Sequence, residues 1–154
     1  MSRWSRQTVL PEIGLDGQKR LLSATIAIVG MGGLGCPAAQ SLTIAGVGKL
    51  KIIDGDKVEL SNLHRQPLYG VEDVGRLKVK VAKEKLEKLN GDAVVEIVDE
   101  FLNKDNGVTF VSDADIIIDA TDNIQTRLLI DRLSKESGVP MVYGGLYLSL
   151  RHTG

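Results

Sequence analysis

The sequence predicts a doubly wound α/β fold: a Rossmann-like, mostly parallel sheet with helices on both faces. Two observations lead to this prediction. Short apolar runs alternate along the chain with segments of helical periodicity, which is the pattern of parallel strands joined by crossover helices. The first apolar run, residues 25–29, ends in a glycine-rich turn that leads into a helical pattern. Strand, turn and helix in this order form the phosphate-binding unit of such sheets.

The glycine-rich turn is the strongest single motif, and its glycines are Gly30, Gly32, Gly33 and Gly35. The first, second and fourth satisfy the pattern G-x-G-x-x-G, in which glycines permit a tight turn and the close approach of a ligand. The helix that follows offers unpaired N–H groups to a phosphate. A tight turn that binds nothing is the alternative. The flanking elements and an acid at Asp54 favour a nucleotide site without identifying the nucleotide.

We divide the chain into an N-terminal arm with a short helix (residues 1–24), a nucleotide-binding domain (residues 25–147) and a tail (residues 148–154). Residues 14–22 carry the pattern of the short helix. Composition alone places Arg3 and Arg6 in a solvated tail.

The second strand, residues 49–53, ends at Asp54. An acid at this position can accept hydrogen bonds from ribose hydroxyls, although a plain turn residue is the alternative. Residues 60–67 show neither helical nor strand periodicity and are interpreted as a loop. A loop at the carboxyl end of a strand lies where open α/β sheets bind ligands, so Asn62 and Arg65 could reach phosphate oxygens.

A helix is predicted over residues 75–90, with Lys78 in its first turn. The helix dipole disfavours a cation there by about 0.3–1 kcal/mol. A bound anion would offset that cost, which makes Lys78 a candidate phosphate ligand. An ordinary surface lysine is the alternative.

The rest of the chain alternates in the same way, with strands at residues 94–98, 115–119 and 140–146 and helices at 104–111 and from about 123 to 137. Asp122 stands between the second of these strands and the last helix. Its carboxylate could cap that helix or hold Mg²⁺ on the phosphates of a nucleotide, and one oxygen cannot easily do both.

Composition limits the class of protein. The chain has 154 residues, a net charge of −1 and no apolar run long enough to span a bilayer, so neither nucleic acid nor a membrane is indicated as a partner. Its single cysteine, Cys36, excludes an internal disulfide and a cysteine zinc cage within these residues. We interpret Cys36 as a small packing residue and expect a reducing, cytoplasmic setting.

The candidate residues point to a triphosphate rather than a dinucleotide. Two cations, Arg65 and Lys78, and a carboxylate suited to a metal, Asp122, would gather on one edge of the predicted sheet. NAD enzymes neutralise a pyrophosphate mainly with a helix end and need no metal there. ATP with Mg²⁺ therefore uses more of these residues than NAD does.

Several spaced motifs, in the order seen here, resemble the ThiF/MoeB/HesA family, the bacterial relatives of ubiquitin-activating enzymes. The resemblance covers residues 3–147. The motifs are Arg3-x-x-Arg6-Gln7, Gly14-x-Asp16-Gly17-Gln18, Gly30-Met31-Gly32-Gly33-Leu34-Gly35-Cys36, Ala45-Gly46-Val47-Gly48, Asp54-x-Asp56, Ser61-Asn62-Leu63-x-Arg65-Gln66, Gly75-x-x-Lys78 and Thr121-Asp122-Asn123.

The resemblance implies an adenylating enzyme. The C-terminal Gly-Gly carboxylate of a ubiquitin-like sulfur-carrier protein would attack the α-phosphate of ATP and release pyrophosphate, as in molybdopterin or thiamine biosynthesis. It also implies the roles of individual residues: Asp54 on the ribose hydroxyls, Asn62, Arg65 and Lys78 on the phosphates, and Asp122 on Mg²⁺. Arg6 would reach the nucleotide of a neighbouring subunit, which implies a homodimer.

Family members usually run longer, and the additional part commonly carries Cys-x-x-Cys pairs for a structural zinc. This chain has no such ligands, and residues 148–154 depart from the family pattern. We therefore expect a chain truncated at its C-terminus, for which ATP binding is better supported than turnover. The alternatives are a catalytically incomplete nucleotide-binding fragment, the family branch that activates a modified adenosine in tRNA, and an NAD-dependent oxidoreductase.

Overall fold

The computed structural model describes residues 2–145, and the predicted tail at residues 148–154 lies outside the described residues. The described chain forms one parallel sheet in the order β3-β2-β1-β4-β5. Its strands are β1 (Thr25–Val29), β2 (Lys49–Ile53), β3 (Val94–Val98), β4 (Ile116–Asp119) and β5 (Met141–Tyr143). The predicted doubly wound, Rossmann-like architecture is therefore confirmed.

Helices cover both faces of the sheet. They are α1 (Ser5–Thr8), α2 (Gly14–Ser23), α3 (Gly35–Ala45), α4 (Lys78–Leu89), α5 (Lys104–Val111) and α6 (Ile124–Ser137). Successive β1 residues alternate between two apolar clusters, one shared with α3 and α4 and the other with α5 and α6. Among residues 2–145, no helix combines the length and the apolar character needed to cross a bilayer.

The register of the central strands positions the functional residues. Val29, the last residue of β1, pairs with Ile53 on one side and with Asp119 on the other. The ends of β1, β2 and β4 are therefore level. After β1 the chain crosses one face of the sheet through α3, and after β4 it crosses the other face through α6. The crevice between the ends of β1 and β4 is therefore a topological switch point, where open α/β sheets bind ligands.

Two predicted boundaries need correction. Helix α4 begins at Lys78 rather than at residue 75, because Gly75 has a left-handed φ of +88° and Leu77 pairs with Lys57 in an isolated β-bridge. Lys78 nevertheless lies in the first turn, as predicted. Of the predicted strand at residues 140–146, residue 146 lies outside the described residues, and β5 spans residues 141–143 without residues 140, 144 and 145.

The N-terminal arm packs against the domain, which corrects the expectation of a solvated tail. Trp4 is 7% exposed, and its Nε1 donates to Ile44 O at 3.0 Å. The Arg3 guanidinium donates to Asn90 Oδ1 at 3.2 Å and to Leu89 O at the end of α4. The arm thus satisfies carbonyl groups that helix ends leave unpaired. Arg6 is exposed, as a solvated residue would be.

Candidate nucleotide-binding site

A cleft of about 810 Å³ opens at the carboxyl edge of β1, β2 and β4. Arg6 does not line it, because α1 lies elsewhere on the surface, and Gly35 does not line it because it is buried behind the turn. The structure brings the other predicted site residues to this cleft: Gly30, Gly32, Gly33, Asp54, Asn62, Arg65, Lys78 and Asp122.

The glycine-rich turn has two positions that exclude a side chain. Gly30 has φ +93°, and a β-carbon there would lie 3.0 Å from Ala120 O. A β-carbon on Gly35 would lie 1.9 Å from Gly30 O, so Gly35 allows α3 to start directly against the turn. No side chain caps the N-terminus of α3, and Cys36 N donates back to Gly32 O at 3.0 Å. A phosphate at this end of α3 would therefore meet the remaining N–H groups of the turn.

Asp54 ties the glycine-rich turn to the end of β2. Its Oδ2 accepts from Met31 N at 2.7 Å and its Oδ1 accepts from Asp56 N at 2.8 Å. The second bond is the turn role that the sequence analysis offered as the alternative. Each carboxylate oxygen keeps a further lone pair, so the same group can also accept a bond from a hydroxyl.

Lys78 is a nearly buried cation, with 5% of the residue exposed. Its Nζ lies 3.6 Å from Asp56 Oδ2, which offsets part of the unfavourable helix dipole. The protein itself therefore supplies part of the negative charge that the sequence analysis assigned to a ligand. Asp56 was not among the predicted site residues, although the motif Asp54-x-Asp56 placed it on the same edge.

The loop after β2 presents Asn62 and Arg65. Asn62 Oδ1 accepts from Glu59 N at 3.2 Å and closes a short 3₁₀ turn. Arg65 is exposed, and its backbone N donates to Asn62 O at 3.1 Å. Within residues 2–145 its guanidinium makes one hydrogen bond, to Ser61 O at 3.4 Å. The remaining guanidinium donors are therefore available to phosphate oxygens.

Gln66 contributes an orphaned polar atom at the same place. The residue is 3% exposed, lines the cleft and has an Oε1 with no hydrogen-bond partner among the described residues. A β-carbon on Gly32 would lie 3.5 Å from its Nε2, so the carboxamide adjoins the glycine-rich turn. An unpaired buried acceptor costs about 1–3 kcal/mol, and a polar ligand that reached this oxygen would relieve that cost.

Asp122 is free to bind a ligand because its neighbour caps the helix. Asn123 Oδ1 accepts from Thr126 N at 3.0 Å, so Asn123 is the N-cap of α6 and the proposed capping role of Asp122 is wrong. The Asp122 carboxylate is exposed and bonds to no other residue of the part described. Residues 2–145 hold no cluster of three metal-ligating side chains. One carboxylate fits a Mg²⁺ ion that arrives with phosphates, because Mg²⁺ takes much of its shell from water and substrate.

An ion pair between the buried Asp119 and the partly buried Arg127 holds the loop that carries Asp122. Asp119 Oδ2 accepts from Arg127 Nε at 2.7 Å, and Asp119 Oδ1 accepts from Thr121 N at 2.9 Å. Arg127 Nη2 donates to Thr121 O and to Gly144 O, each at 3.2 Å. The sequence analysis missed this pair, because no local sequence pattern relates Asp119 at the end of β4 to Arg127 in the following helix.

Cys36 lies behind the turn and packs as predicted. It is fully buried, and its Sγ donates to Met31 O at 3.4 Å. Burial raises the pKa of this thiol to about 11, which keeps it protonated and unreactive at neutral pH.

Comparison with known proteins identifies relatives along most of the chain. A model of the ThiF family matches residues 4–150. The sulfur carrier protein adenylyltransferase of Thermus thermophilus is 42% identical over 147 residues, which are 96% of this chain and 54% of that protein. The SAMP-activating enzyme E1 of Haloferax volcanii matches with the same identity and coverage. The chain thus spans about half the length of these curated relatives.

Solved structures share the fold. A crystal structure of the E. coli tRNA N6-threonylcarbamoyladenosine dehydratase TcdA in complex with ATP superposes with a TM-score of 0.87 at 29% identity. The match covers 94% of this chain and 59% of that one. A crystal structure of PaaA superposes with a TM-score of 0.83 at 35% identity, over 94% of this chain and 47% of that one.

Proposed function

This chain belongs to the ThiF family, and on that basis we propose that it binds ATP and adenylates the C-terminal Gly-Gly carboxylate of a ubiquitin-like sulfur-carrier protein. The observation that carries the proposal is the composition of one cleft. The glycine-rich turn, the cations Arg65 and Lys78 and the unpaired carboxylate of Asp122 line the same space. The printed names of the Thermus and Haloferax relatives describe adenylation or activation of such carriers, which supports the same proposal.

The reaction needs positioning more than acid–base chemistry. An oxygen of the carrier's carboxylate attacks the α-phosphorus of ATP, an acyl–phosphate bond forms, and the α–β bridging bond breaks to release pyrophosphate. The carboxylate is already a nucleophile, so no base is required. The chain's part is to hold two anions together and to stabilise charge at phosphorus, which Arg65 and Lys78 are placed to do. Asn62 joins them on the phosphates, and Asp54 holds the ribose hydroxyls.

Asp122 is the residue we propose for Mg²⁺. Its exposed carboxylate lines the cleft and is not engaged by the α6 cap. When bound, Mg²⁺ neutralises charge on the phosphate oxygens. The pair of Arg127 with the buried Asp119 keeps the Asp122 loop in position.

We further propose a cytoplasmic homodimer in which Arg6 serves the neighbouring subunit. Arg6 is exposed on α1 and does not line the cleft of its own chain, which is compatible with such a role. Val9, Leu10 and Leu15 expose apolar side chains on the same arm, and a second copy of the chain would cover them. We propose that the carrier serves molybdopterin or thiamine biosynthesis.

A second candidate is activation of a modified adenosine in tRNA, which the likeness to TcdA favours. The net charge of −1 argues against it, because binding of nucleic acid depends on basic residues that neutralise phosphates. An NAD-dependent oxidoreductase is a weaker alternative, since it leaves Arg65, Lys78 and Asp122 without a role. Protection from thermal unfolding by Mg·ATP but not by NADH would support the ATP site. Protection by NADH but not by Mg·ATP would support the oxidoreductase.

Carrier-dependent exchange of labelled pyrophosphate into ATP tests the proposal. We expect exchange with a Gly-Gly-tailed sulfur carrier, loss of exchange in Arg65→Ala, and retention in Val108→Ala, an exposed apolar position on α5 away from the cleft. Mg·ATP binding without exchange for any carrier would support the catalytically incomplete alternative. Exchange that depends on tRNA instead of a carrier would support the second candidate.

A further inference from the structure

Tyr69 reaches the glycine-rich turn from the interior of the protein. The residue is 5% exposed and lies in the apolar cluster that the sheet shares with α3 and α4. Its hydroxyl donates to Met31 O at 2.7 Å. Burial raises the pKa of Tyr69, so the hydroxyl keeps its proton and remains a donor at neutral pH. A residue that follows β2 therefore holds a carbonyl group of the turn that follows β1.

The backbone of Met31 is held at both of its polar groups. Its N–H donates to Asp54 Oδ2 at 2.7 Å, and its carbonyl oxygen also accepts from Cys36 Sγ at 3.4 Å. The bond from Tyr69 is the stronger of the two to this oxygen, because a hydroxyl is a better donor than a thiol and lies closer. The Met31 carbonyl is thus fixed toward the buried cluster.

The direction of the Met31 carbonyl determines the direction of the next N–H group. A trans peptide unit is planar, and its C=O and N–H point to opposite sides. Because Met31 O points toward the buried Tyr69, the N–H of Gly32 points away from the core, toward the cleft that Gly32 lines. This N–H donates to no group among residues 2–145. The turn therefore presents a free backbone donor to the nucleotide cleft.

We infer that Tyr69 is a positioning residue, whose hydroxyl, through Met31 O, aims the N–H of Gly32 at a phosphate oxygen of the bound nucleotide. The inference rests on the proposed function, because it deepens the description of the same nucleotide site. A donor that already points at its ligand loses little freedom on binding. A phosphate oxygen rewards such a donor, since hydrogen bonds to ionised acceptors are about twice as strong as neutral ones.

The amide resonance of Gly32 in the isotope-labelled full chain reports this hydrogen bond. We expect Mg·ATP, and Mg·tripolyphosphate with its phosphates alone, to move the Gly32 amide proton downfield in the wild type. Tyr69→Phe removes only the hydroxyl and should reduce both shifts. It should also weaken the binding of both probes about 3-fold to 30-fold, within the worth of one hydrogen bond to a charged group. Met31 O keeps its bond from Cys36 in this variant, so the chain should still fold.

Tyr143→Phe is the matched control, since it removes the same atom from a tyrosine that is 61% exposed and outside the cleft. It should change neither the shifts nor the affinities. Urea denaturation of Tyr69→Phe identifies a merely structural role. Lower stability of this variant with unchanged affinities and an unchanged Gly32 shift would overturn the inference.

The wild-type chain provides a test that needs no variant. Binding of Mg·ATP without a shift of the Gly32 amide would overturn the inference and leave the proposed function intact. Failure of the wild-type chain to bind either probe would overturn the proposed function, and the inference with it.

Discussion

The backbone N–H of Met31 donates a 2.7 Å hydrogen bond to Asp54 Oδ2, which fastens the glycine-rich turn after β1 to the end of β2. Asp54 is 8% exposed, and its other oxygen accepts from Asp56 N. One carboxylate therefore sets the relative position of two segments that line the cleft. The apo structure of the site depends on this residue before any nucleotide binds.

Asp54→Asn should destabilise the chain in the absence of nucleotide. Asparagine keeps one acceptor oxygen but presents an NH₂ group to one of the two backbone N–H donors. Leaving a buried donor unpaired costs about 1–3 kcal/mol in the free energy of unfolding, which urea denaturation measures. Asp122→Asn is the control and should leave stability unchanged. Equal stability of wild type and Asp54→Asn would contradict the structural role of this carboxylate.

The neighbouring residues Asp122 and Asn123 should separate metal binding from helix capping. Asn123→Ala removes the cap of α6 and should lower the free energy of unfolding by about 1 kcal/mol, with Mg·ATP affinity retained. Asp122→Asn should keep the stability and lose the Mg²⁺-dependent part of ATP affinity. Urea denaturation and titration with and without Mg²⁺ measure the two effects. The reverse pattern would assign the cap to Asp122.

Asp113 should make stability depend on pH in the acid range. The Lys51 ammonium hydrogen-bonded to Asp113 lowers the pKa of this carboxyl from 3.8 to about 2. A carboxyl whose pKa falls on folding stabilises the fold above pH 3.8 and loses that contribution as the pH falls toward 2. Asp113→Asn should lower the urea midpoint at pH 7, and its difference from wild type should shrink between pH 4 and pH 2, as estimated from proton linkage. A difference that stays constant over this range would exclude the ion pair as its cause.

Arg6 should act in trans if the homodimer forms as proposed. Arg6→Ala and Asp122→Ala chains are each expected to be inactive alone. After mixing and exchange of subunits, a heterodimer contains one intact site, so about one quarter of wild-type exchange activity should return. Pyrophosphate exchange before and after mixing measures this. No recovery, with heterodimers verified by native mass spectrometry, would place Arg6 outside the site.

The sequence predicted the sheet because strand and helix signals were strong and regular. Residues 25–29 are an apolar run followed by glycine, and residues 49–53 alternate lysine with apolar residues before an acid. Both segments are strands with those bounds. The predicted ends of helices and strands were less accurate where tertiary contacts determine them. The start of α4 was misplaced because the Lys57–Leu77 bridge joins residues far apart in sequence.

The site residues on the loops could be named from the sequence, but their partners could not. Arg65 and Asp122 reach the cleft as predicted. The contact of Phe101 with Gly55 and the pair of Asp119 with Arg127 depend on the fold, since each joins residues from different elements or loops. Trp4 was missed because composition treats a short polar arm as solvated, whereas its indole packs against α3.

The most direct test of the central claim is a calorimetric titration of Mg·ATP into wild-type, Arg65→Ala and Lys78→Met chains. One site per chain should bind ATP in the wild type, and each substitution should weaken binding roughly 10-fold to 100-fold through loss of a charge-assisted bond to phosphate. Lys78→Met should change stability little, because Asp56 is more than half exposed and is rehydrated. Absence of wild-type binding, or binding that both variants retain at full strength, would contradict an ATP site in this cleft.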